Sequence, residues 1–313
     1  MRFKYAIQVL IANFKQVYKL LLYKLIWLVV IFGCCIAGLH IGYGDILKKA
    51  GITDVMHNGY LLIKNVFVDV DISVETFRNS VKVMSTYIAN HISSLTCILI
   101  ILAVGLLLYR FFSGMGDYAL GKVINDHMSS LTHRGFVMCL MQDVKMNMLS
   151  QLFLAAVITL VNILEIAVIF VIMYFTGSSL GLFAIFIATT VFFAIDATAK
   201  GFLSNCVPAV ITKGSVKEGI KRMFKSSFSD FLTIFSVCLI AEIFAMYFIV
   251  SIAIFTFGVG LLILIPILSL YFVSLQFVHY YTVEKKKFYV SYDNIVVPKE
   301  LREEEKLLNK MDI

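Results

Sequence analysis

Residues 215–256 read SVKEGIKRMFKSSFSDFLTIFSVCLIAEIFAMYFIVSIAIFT. The first part is amphipathic, because apolar residues recur at helical spacing and cations lie mostly on the other face. The apolar positions are Val216, Ile220, Met223 and Phe224, and the cations are Lys217, Lys221, Arg222 and Lys225. The second part is apolar, has Glu242 as its one charged residue after Asp230, and is long enough to span a bilayer as a helix. The stretch therefore predicts an interfacial helix that runs directly into a membrane span.

Apolar runs of this length occur six times along the chain. The predicted spans are 21–40, 94–112, 151–176, 179–199, 230–256 and 258–282. The chain is 60% hydrophobic and only 15% charged, with a mean hydropathy of +0.90. Soluble domains are about 45–50% apolar, and they do not bury six such helices. We therefore predict an all-α polytopic membrane protein with six transmembrane helices.

Positive charge is distributed unequally between the segments that connect the spans. Of the 27 Lys and Arg residues, five lie in segment 41–93, 20 lie in the segments that six spans place on the opposite side, and Lys24 and Arg110 lie near the ends of spans that adjoin that same side. The positive-inside rule assigns the richer side to the cytoplasm. We expect segment 41–93 to be an extracytoplasmic loop or cap. The expected cytoplasmic segments are amphipathic helix 1–20, loops 113–150 and 200–229, each with an amphipathic helix, and tail 283–313.

Composition also indicates location and partners. In a soluble chain a net charge of +7 would suggest nucleic acid, but basic residues beside spans are what topology and anionic lipid require. We expect anionic lipid headgroups as partners, a protein partner through the loops or tail as a second option, and no nucleic acid. The Ile, Phe and Lys bias is typical of an AT-rich bacterial genome, so the plasma membrane of a bacterial cell is the expected location. The first apolar run lacks a cleavage signal, the six Cys lack disulfide or metal-ligand spacing, and no cofactor or metal is expected.

Three basic amphipathic segments, which we call lead-in segments, each run into a span. They are 2–19, 136–151 (the weakest) and 215–228, with Phe3, Ile7, Leu10, Ile11 and Phe14 apolar in the first and Val137, Leu140, Met141 and Val144 in the second. Aligning Phe14, Val144 and Phe228 gives three units of lead-in helix, span, turn and returning span. The pattern indicates either a threefold pseudo-repeat or a general way of anchoring helical hairpins.

Two connecting segments carry weaker patterns. Val66, Val68 and Val70 alternate with other residues and suggest a short strand, while apolar residues from Ser73 to Ile92 at helical spacing predict a helix that continues into the second span. In the tail, Pro298 precedes a charged stretch that can form a short helix. A solvated helix and a partner-docking helix both fit that stretch.

Two acidic residues in the predicted spans are the main functional candidates. Glu165 lies 14 residues after Gln151 and Glu242 lies 12 after Asp230, so both fall about 18–21 Å into spans of the same direction. A carboxylate at that depth costs about 3 kcal/mol and normally faces the bundle interior. With Thr159 and Asn162, these residues form a candidate intramembrane polar site for a proton, a cation or a polar substrate. The alternative is that the two Glu side chains hydrogen-bond neighbouring helices as packing contacts.

A second group lies nearer the cytoplasmic side. Asp196, Gln276 and His279 fall in the returning fourth and sixth spans, and Lys200 follows Asp196 by four residues. The group indicates either a polar site or an interfacial ion pair between Asp196 and Lys200. Lys217, Lys221, Arg222 and Lys225 are the candidate contacts to lipid headgroups.

The sequence has one weak match to an enzyme motif and none of the other common catalytic motifs. Gly42-Tyr43-Gly44-Asp45 matches the GxGD pattern of presenilin-type intramembrane proteases, but Asp45 falls at the outer end of a span and no Tyr-Asp partner lies in another span. The sequence contains no HExxH, GxSxG or Walker pattern, and its six His have no ligand spacing. We therefore expect a protein that is not an enzyme and has no catalytic residues.

The layout resembles uncharacterised six-helix membrane proteins of Gram-positive bacteria, and the membrane domain appended to some glycerophosphodiester phosphodiesterases. The residues behind the resemblance are Gly219-Ile220-Lys221-Arg222-Met223-Phe224 and the run Gly260-Leu261-Leu262-Ile263-Leu264-Ile265-Pro266. It implies a six-helix membrane fold, and it implies no phosphodiesterase activity because the chain has no such catalytic domain.

Two main functional hypotheses follow from the sequence, and a membrane enzyme ranks third. The first is a transport-type protein, either a carrier or the membrane subunit of a transport system, for a small or amphiphilic solute. The second is a membrane scaffold or lipid-interacting protein without transport activity, whose basic amphipathic helices hold anionic lipid.

Overall fold

The computed structural model describes residues 2–49, 51–64, 70–90, 92–132, 134–180, 182–225, 228–256, 258–291 and 294–298. In this part of the chain, helices account for nearly all regular structure. They are α1 (Arg2–Ala12), α2 (Gln16–Lys49), α3 (Ile52–Lys64), α4 (Val70–Asn90), α5 (Ile92–Ser130), α6 (Phe136–Met141), α7 (Val144–Leu180), α8 (Leu182–Leu203), α9 (Cys206–Lys213), α10 (Val216–Phe224), α11 (Phe228–Thr256) and α12 (Leu261–Val283). Of these, α2, α5, α7, α8, α11 and α12 are long and apolar enough to cross a membrane. The predicted all-α polytopic class is confirmed.

Each predicted lead-in segment contains a short helix that directly precedes a long one: α1 before α2, α6 before α7, and α10 before α11. The weak second segment gives the shortest helix, because Gln142 is extended and Asp143 has a φ of 59°. These two residues end α6 before α7 begins. The order of lead-in helix, long helix and returning helix thus occurs three times along the chain. Helices α3 and α4 are inserted in the first of these repeats, and α9 lies between the second and the third.

The chain divides into two compact units, one formed by Met1–Ile26 with Arg110–Ile313 and the other by Trp27–Tyr109. In the smaller unit α3 packs against α4. Asn58 Nδ2 donates to Ser80 Oγ at 2.6 Å across this pair, and Gly59 lies against the Phe77 ring. The predicted helix from Ser73 lies within α4, which ends at Asn90, and its continuation into the second span rests on residue 91, outside the described residues. Helix α3 was not predicted. The strand suggested at 66–70 falls mostly outside the described residues, and Val70 begins a helix.

The main unit is the larger one, and its principal core surrounds the C-terminal halves of α5 and α12. Side chains that are fully buried there come from α1, α2, α5 and α12 together with α6 and α9. They include Val9, Leu20, Leu120, Ile124, Met128, Ala209, Leu270, Phe277 and Tyr280. The core therefore lies at the end of the unit where the lead-in helices meet α12.

Two segments of the main unit differ from the sequence prediction. Residues 113–130, predicted as part of a loop, continue α5, and its charged side chains are paired: Lys122 Nζ lies 2.5 Å from Asp143 Oδ2, and Arg134 Nε lies 3.4 Å from Asp126 Oδ2. The predicted span ended at residue 112 because the charged residues beyond it lower the local hydropathy. Their ion pairs allow this part of α5 to be buried.

The predicted tail begins with a hairpin that the sequence analysis missed. Strands β1 (Phe288–Ser291) and β2 (Asn294–Val296) pair antiparallel, with Phe288 opposite Val296. Phe288 and Val290 are buried, and the Phe288 ring makes edge contacts with Tyr5 and Tyr281. The hairpin therefore belongs to the principal core. The helix suggested after Pro298 lies outside the described residues.

Candidate functional site

Lys200 joins three helices of the main unit. Its Nζ lies 2.8 Å from Asp196 Oδ2, one turn earlier on α8, and 3.1 Å from Glu242 Oε1 on α11. The same ammonium sits 4.7 Å from the centre of the Phe272 ring on α12. A cation over an aromatic face is attracted by the ring quadrupole. Lys200 therefore forms ion pairs with two carboxylates, of whose two negative charges it balances one, and it links the three helices.

Small residues let α8 and α11 approach closely enough for this contact. Ala197 of α8 and the α11 residues Cys238, Ala241 and Ala245 are all buried. At Gly201 an added Cβ would lie 3.6 Å from the backbone of Phe235, so the two helices are in close contact just beyond Lys200. Close packing through small side chains is typical of helix pairs in membranes.

Glu165 faces a cavity of about 220 Å³ beside this ion-pair group. Its side chain is 3% exposed, and its Oε1 has no hydrogen-bond partner in the described part of the chain. The polar residues that line the cavity are Arg110, Asn162, Glu165, Asp196, Lys200 and Gln276. The cavity therefore contains a buried carboxyl that is free to bind a proton or a ligand.

A second, larger cavity of about 530 Å³ adjoins the first. Arg110, Lys200 and Gln276 line both. The larger one adds Asp117 and Gln151 among its polar residues. We call the two together the polar cavity.

Lys24, which is only 8% exposed, contacts two of the residues that line the polar cavity. Its Nζ lies 2.8 Å from Asp117 Oδ1 and donates to Ser269 Oγ, also at 2.8 Å. This contact ties the start of α2 to α5 and α12. Asp117 is consequently neutralised, and it adds no net charge to the cavity.

Gln151 enters the polar cavity because Gly114 leaves room for it. A Cβ at Gly114 would collide with the Gln151 side-chain oxygen, so α5 has no side chain where α7 presents this amide. Gln151 is 5% exposed, and its Nε2 finds no hydrogen-bond partner among the described residues. A buried amide donor without a partner is costly unless a ligand or water satisfies it.

The charges around the polar cavity do not balance. Glu165, Asp196 and Glu242 are three acids, whereas Arg110 and Lys200 are two cations, and the Lys24–Asp117 pair is neutral. Full ionisation would leave one excess negative charge on a group that includes the buried carboxyls of Glu165 and Glu242, which is unfavourable. The arrangement therefore favours one bound proton or one bound cation.

The structure brings together most, but not all, of the residues predicted for the intramembrane sites. Glu165, Asn162, Asp196 and Gln276 line one cavity, and Glu242 reaches it through Lys200. The two predicted groups are thus parts of one site. Thr159 is buried on α7, but it does not line the cavity.

His279 does not belong to the polar cavity. It is fully buried and accepts a hydrogen bond at its Nδ1 from the Arg2 guanidinium at 2.7 Å. Arg2 also lies 3.9 Å from Asp230. Burial lowers the pKa of Arg2, and the Asp230 carboxylate opposes that shift. His279 therefore anchors α1 to α12.

The predicted headgroup contacts on α10 divide into two kinds. Lys217, Lys221 and Lys225 are exposed. Arg222 is instead held by Glu284, with 2.8 Å between its Nε and Glu284 Oε1. Three of the four cations are therefore accessible to an anionic surface.

Sequence analysis missed Arg110 and Gln151, and it treated Lys200 only as a partner of Asp196. The spacing of four residues between Asp196 and Lys200 was the available signal for that pair. The contact of Lys200 with Glu242 joins positions 42 residues apart on different helices, and no pattern in one sequence indicates it. Among the described residues, no group of three or more His, Cys, Asp or Glu side chains is placed to hold a metal ion.

No protein-family model, curated protein or solved structure matches this chain in the comparisons. The resemblance to six-helix membrane proteins of Gram-positive bacteria therefore stays a prediction. The chemistry of the polar cavity is the basis for assigning a function.

Proposed function

We propose that this integral membrane protein is of the transport type, either a carrier or the membrane subunit of a transport system, for a small or amphiphilic solute. The observation that carries the proposal is the polar cavity among helices long enough to cross a membrane. Unpaired polar groups inside a membrane bundle are costly and are typical of solute or ion pathways. The buried Glu165 carboxyl and the Gln151 amide are such groups.

In this proposal Glu165 binds the coupling proton or cation, and Lys200 holds Asp196 and Glu242 in place beside it. A proton on Glu165 balances the charge of the cavity, and a cationic ligand replaces that proton. Binding of one then disfavours binding of the other, because each neutralises the same excess charge.

Solute-induced currents in proteoliposomes on a solid-supported membrane test the proposal. A panel of small cations, anions and neutral solutes is applied to the unaltered protein, and the active solute is repeated on Glu165→Gln and Glu242→Gln. We expect Glu165→Gln to reduce the current at least about tenfold, since one tenfold step equals about 1.4 kcal/mol of lost interaction. Glu75→Gln is the matched control, because Glu75 is exposed on α4 of the smaller unit.

If Glu165→Gln and Glu242→Gln both gave the same current as the unaltered protein, the polar cavity would not be the transport site. A panel in which no solute gives a current above that of protein-free liposomes would contradict the carrier form of the proposal.

A second candidate function is supported by α10, whose accessible cations lie beside exposed aromatic residues. Phe224 and Phe228 are 70% and 74% exposed, next to Lys221 and Lys225. Basic residues with exposed aromatics are typical of helices that bind anionic membrane surfaces. We propose lipid interaction without transport as the alternative to the first function.

Replacement of Lys217, Lys221 and Lys225 by Gln separates the two functions. The alternative expects a loss of enrichment of anionic over zwitterionic lipid around the protein, measured by mass spectrometry of lipid co-purified from mixed bilayers, and no effect of Glu165→Gln. Unchanged enrichment in the triple variant would eliminate it.

We further propose that the protein resides in the bacterial plasma membrane with both termini in the cytoplasm. The excess of Lys and Arg outside segment 41–93 supports this orientation. The lead-in helices then lie at the cytoplasmic leaflet.

A further inference from the structure

An apolar groove runs along the main unit between α7, α8 and α11. It has a volume of about 490 Å³, and its walls include Val157, Leu164, Ala194, Phe202 and Phe231. Leu164 and Phe202 are 54% and 42% exposed, so the groove is open at the surface.

The groove contains no free polar group. Thr198 contributes the one hydroxyl among the residues that line it, and that hydroxyl donates to the Ala194 carbonyl of its own helix at 2.6 Å. The groove therefore fits a hydrocarbon segment.

The groove and the polar cavity have a common wall. Val161, Ala199 and Leu203 line both. On α8, Ala199 is followed directly by Lys200, and on α7 Val161 lies one helical turn before Glu165. A molecule that occupies both spaces would have its apolar part in the groove and its polar part beside Glu165.

We propose that the ligand of this site is an amphiphilic cation, with its alkyl chain in the groove and its ammonium group in the polar cavity. The inference rests on the proposed function, and it names the chemical class of the solute. The adjacency of an open apolar groove and an acid-rich cavity carries it.

Charge selects a cationic headgroup over an anionic one. The three carboxylates around the cavity outnumber its two cations, and Glu165 has no ion pair within 4 Å among the described residues. Phe192 also lines the polar cavity and presents an aromatic ring, which attracts quaternary ammonium ions. An anionic headgroup would instead add to the excess negative charge.

Binding of tritiated decyltrimethylammonium tests the inference, with the full chain in phosphatidylcholine nanodiscs. We expect saturable binding that Ala194→Phe weakens at least about tenfold, since each methylene kept in water costs about fourfold in affinity. Leu164→Trp, at the exposed rim of the same groove, serves as the second variant if Ala194→Phe does not fold. Ala167→Phe is the control, because Ala167 is exposed on α7 and does not line the groove.

Competing ligands distinguish the contribution of the alkyl tail to binding from that of the charged headgroup. Tetramethylammonium has the head without the tail, and it should compete at least about 100-fold more weakly than the decyl compound. Decyl sulfate has the tail with an anionic head, and it should not compete. Equal competition by decyl sulfate would overturn the assignment of a cation.

The variants distinguish failure of this inference from failure of the proposed function. Binding that Glu165→Gln abolishes and the groove variants leave intact refutes the amphiphile and retains the polar site. Binding that neither change affects refutes the inference, because the probe then binds outside the groove and the polar cavity, and the solute-induced currents decide the proposed function. Absence of saturable binding to the unaltered protein refutes the inference alone, and the currents of small solutes then decide the proposed function.

Discussion

The Lys200 side chain is needed to compensate part of the charge of two carboxylates inside the helix bundle. Taking charges out of water is costly, and the mutual attraction of the pairs offsets this cost only while all partners are present. With Lys200 in place, Asp196 and Glu242 each have a cation within about 3 Å. Without it, two carboxylates would remain close together with no counter-ion among their described contacts.

Lys200→Met should destabilise the protein by about 3 kcal/mol, the lower end of the range for breaking a buried pair, because Lys200 retains some exposure. The apparent Tm in mild detergent, followed by the fraction that stays monodisperse after heating, measures the effect. Adding Glu242→Gln to Lys200→Met should recover part of the loss, since it removes one of the stranded charges.

Lys217→Met is the matched control, because Lys217 is exposed and has no ion pair among the described residues. A Tm for Lys200→Met equal to that of Lys217→Met would contradict the bridging role of Lys200.

Among individual residues, the acidic members of the site could be predicted from the sequence, but their partners could not. Glu165 and Glu242 were conspicuous because carboxylates are rare in apolar runs. Arg110 was not, because it lies at the end of its predicted span, where cations are ordinary. Nothing in the sequence marks Gln151, because its role depends on the absence of a side chain at Gly114 of another helix.

Among the elements, α9 and α10 form a compact helical hairpin that positions the cations of the third lead-in segment. Gly214, with a φ of 63°, ends α9 and allows the turn. Gly219 then lies against α9, where an added Cβ would be 3.0 Å from the Cys206 carbonyl oxygen and in collision with Val210. The position of α10 therefore depends on a glycine at 219.

Gly219→Ala should move α10 away from α9 and destabilise the hairpin by about 1–3 kcal/mol, the usual cost of overpacking. The apparent Tm and the rate of limited proteolysis between α9 and α11 are the measurements. Gly135→Ala provides the control, because nothing lies within 4 Å of a Cβ at that position. Equal Tm values for the two variants would show that α10 is not held by this contact.

Elements with a clear period were predictable, and elements stabilised by distant contacts were not. The lead-in helices α1 and α10 follow their apolar spacing. The extension of α5 to Ser130 and the hairpin of β1 and β2 are stabilised by partners elsewhere in the chain, such as Asp143 for Lys122 and Tyr5 for Phe288. Local hydropathy and strand patterns do not contain that information.

At the scale of the whole molecule, the uneven distribution of Lys and Arg and the positions of the lead-in helices both fit the proposed orientation, with these helices on the cytoplasmic side. Basic residues cluster near the lead-in helices, and two of these helices contribute to the principal core, α1 through Val9 and α6 through Phe136 and Cys139. The third, α10, is joined to the segment after α12 by the ion pair of Arg222 with Glu284. The three segments whose cations predict the topology are thus joined to the folded main unit. An inverted orientation would put these cations on the outer side, against the positive-inside rule.

Cysteine labelling in intact cells measures that orientation directly. In a variant without the native cysteines, Lys82→Cys on α4 should react with a membrane-impermeant maleimide added outside, and Lys217→Cys on α10 should react only after permeabilisation. Both positions are exposed, and each substitution removes a single cation, so the excess of charge on the inner side is kept. The opposite labelling pattern would place the lead-in helices at the outer leaflet, and the proposed cytoplasmic termini would then be wrong. The polar cavity would keep its chemistry in either case, because its charged residues keep their contacts with one another.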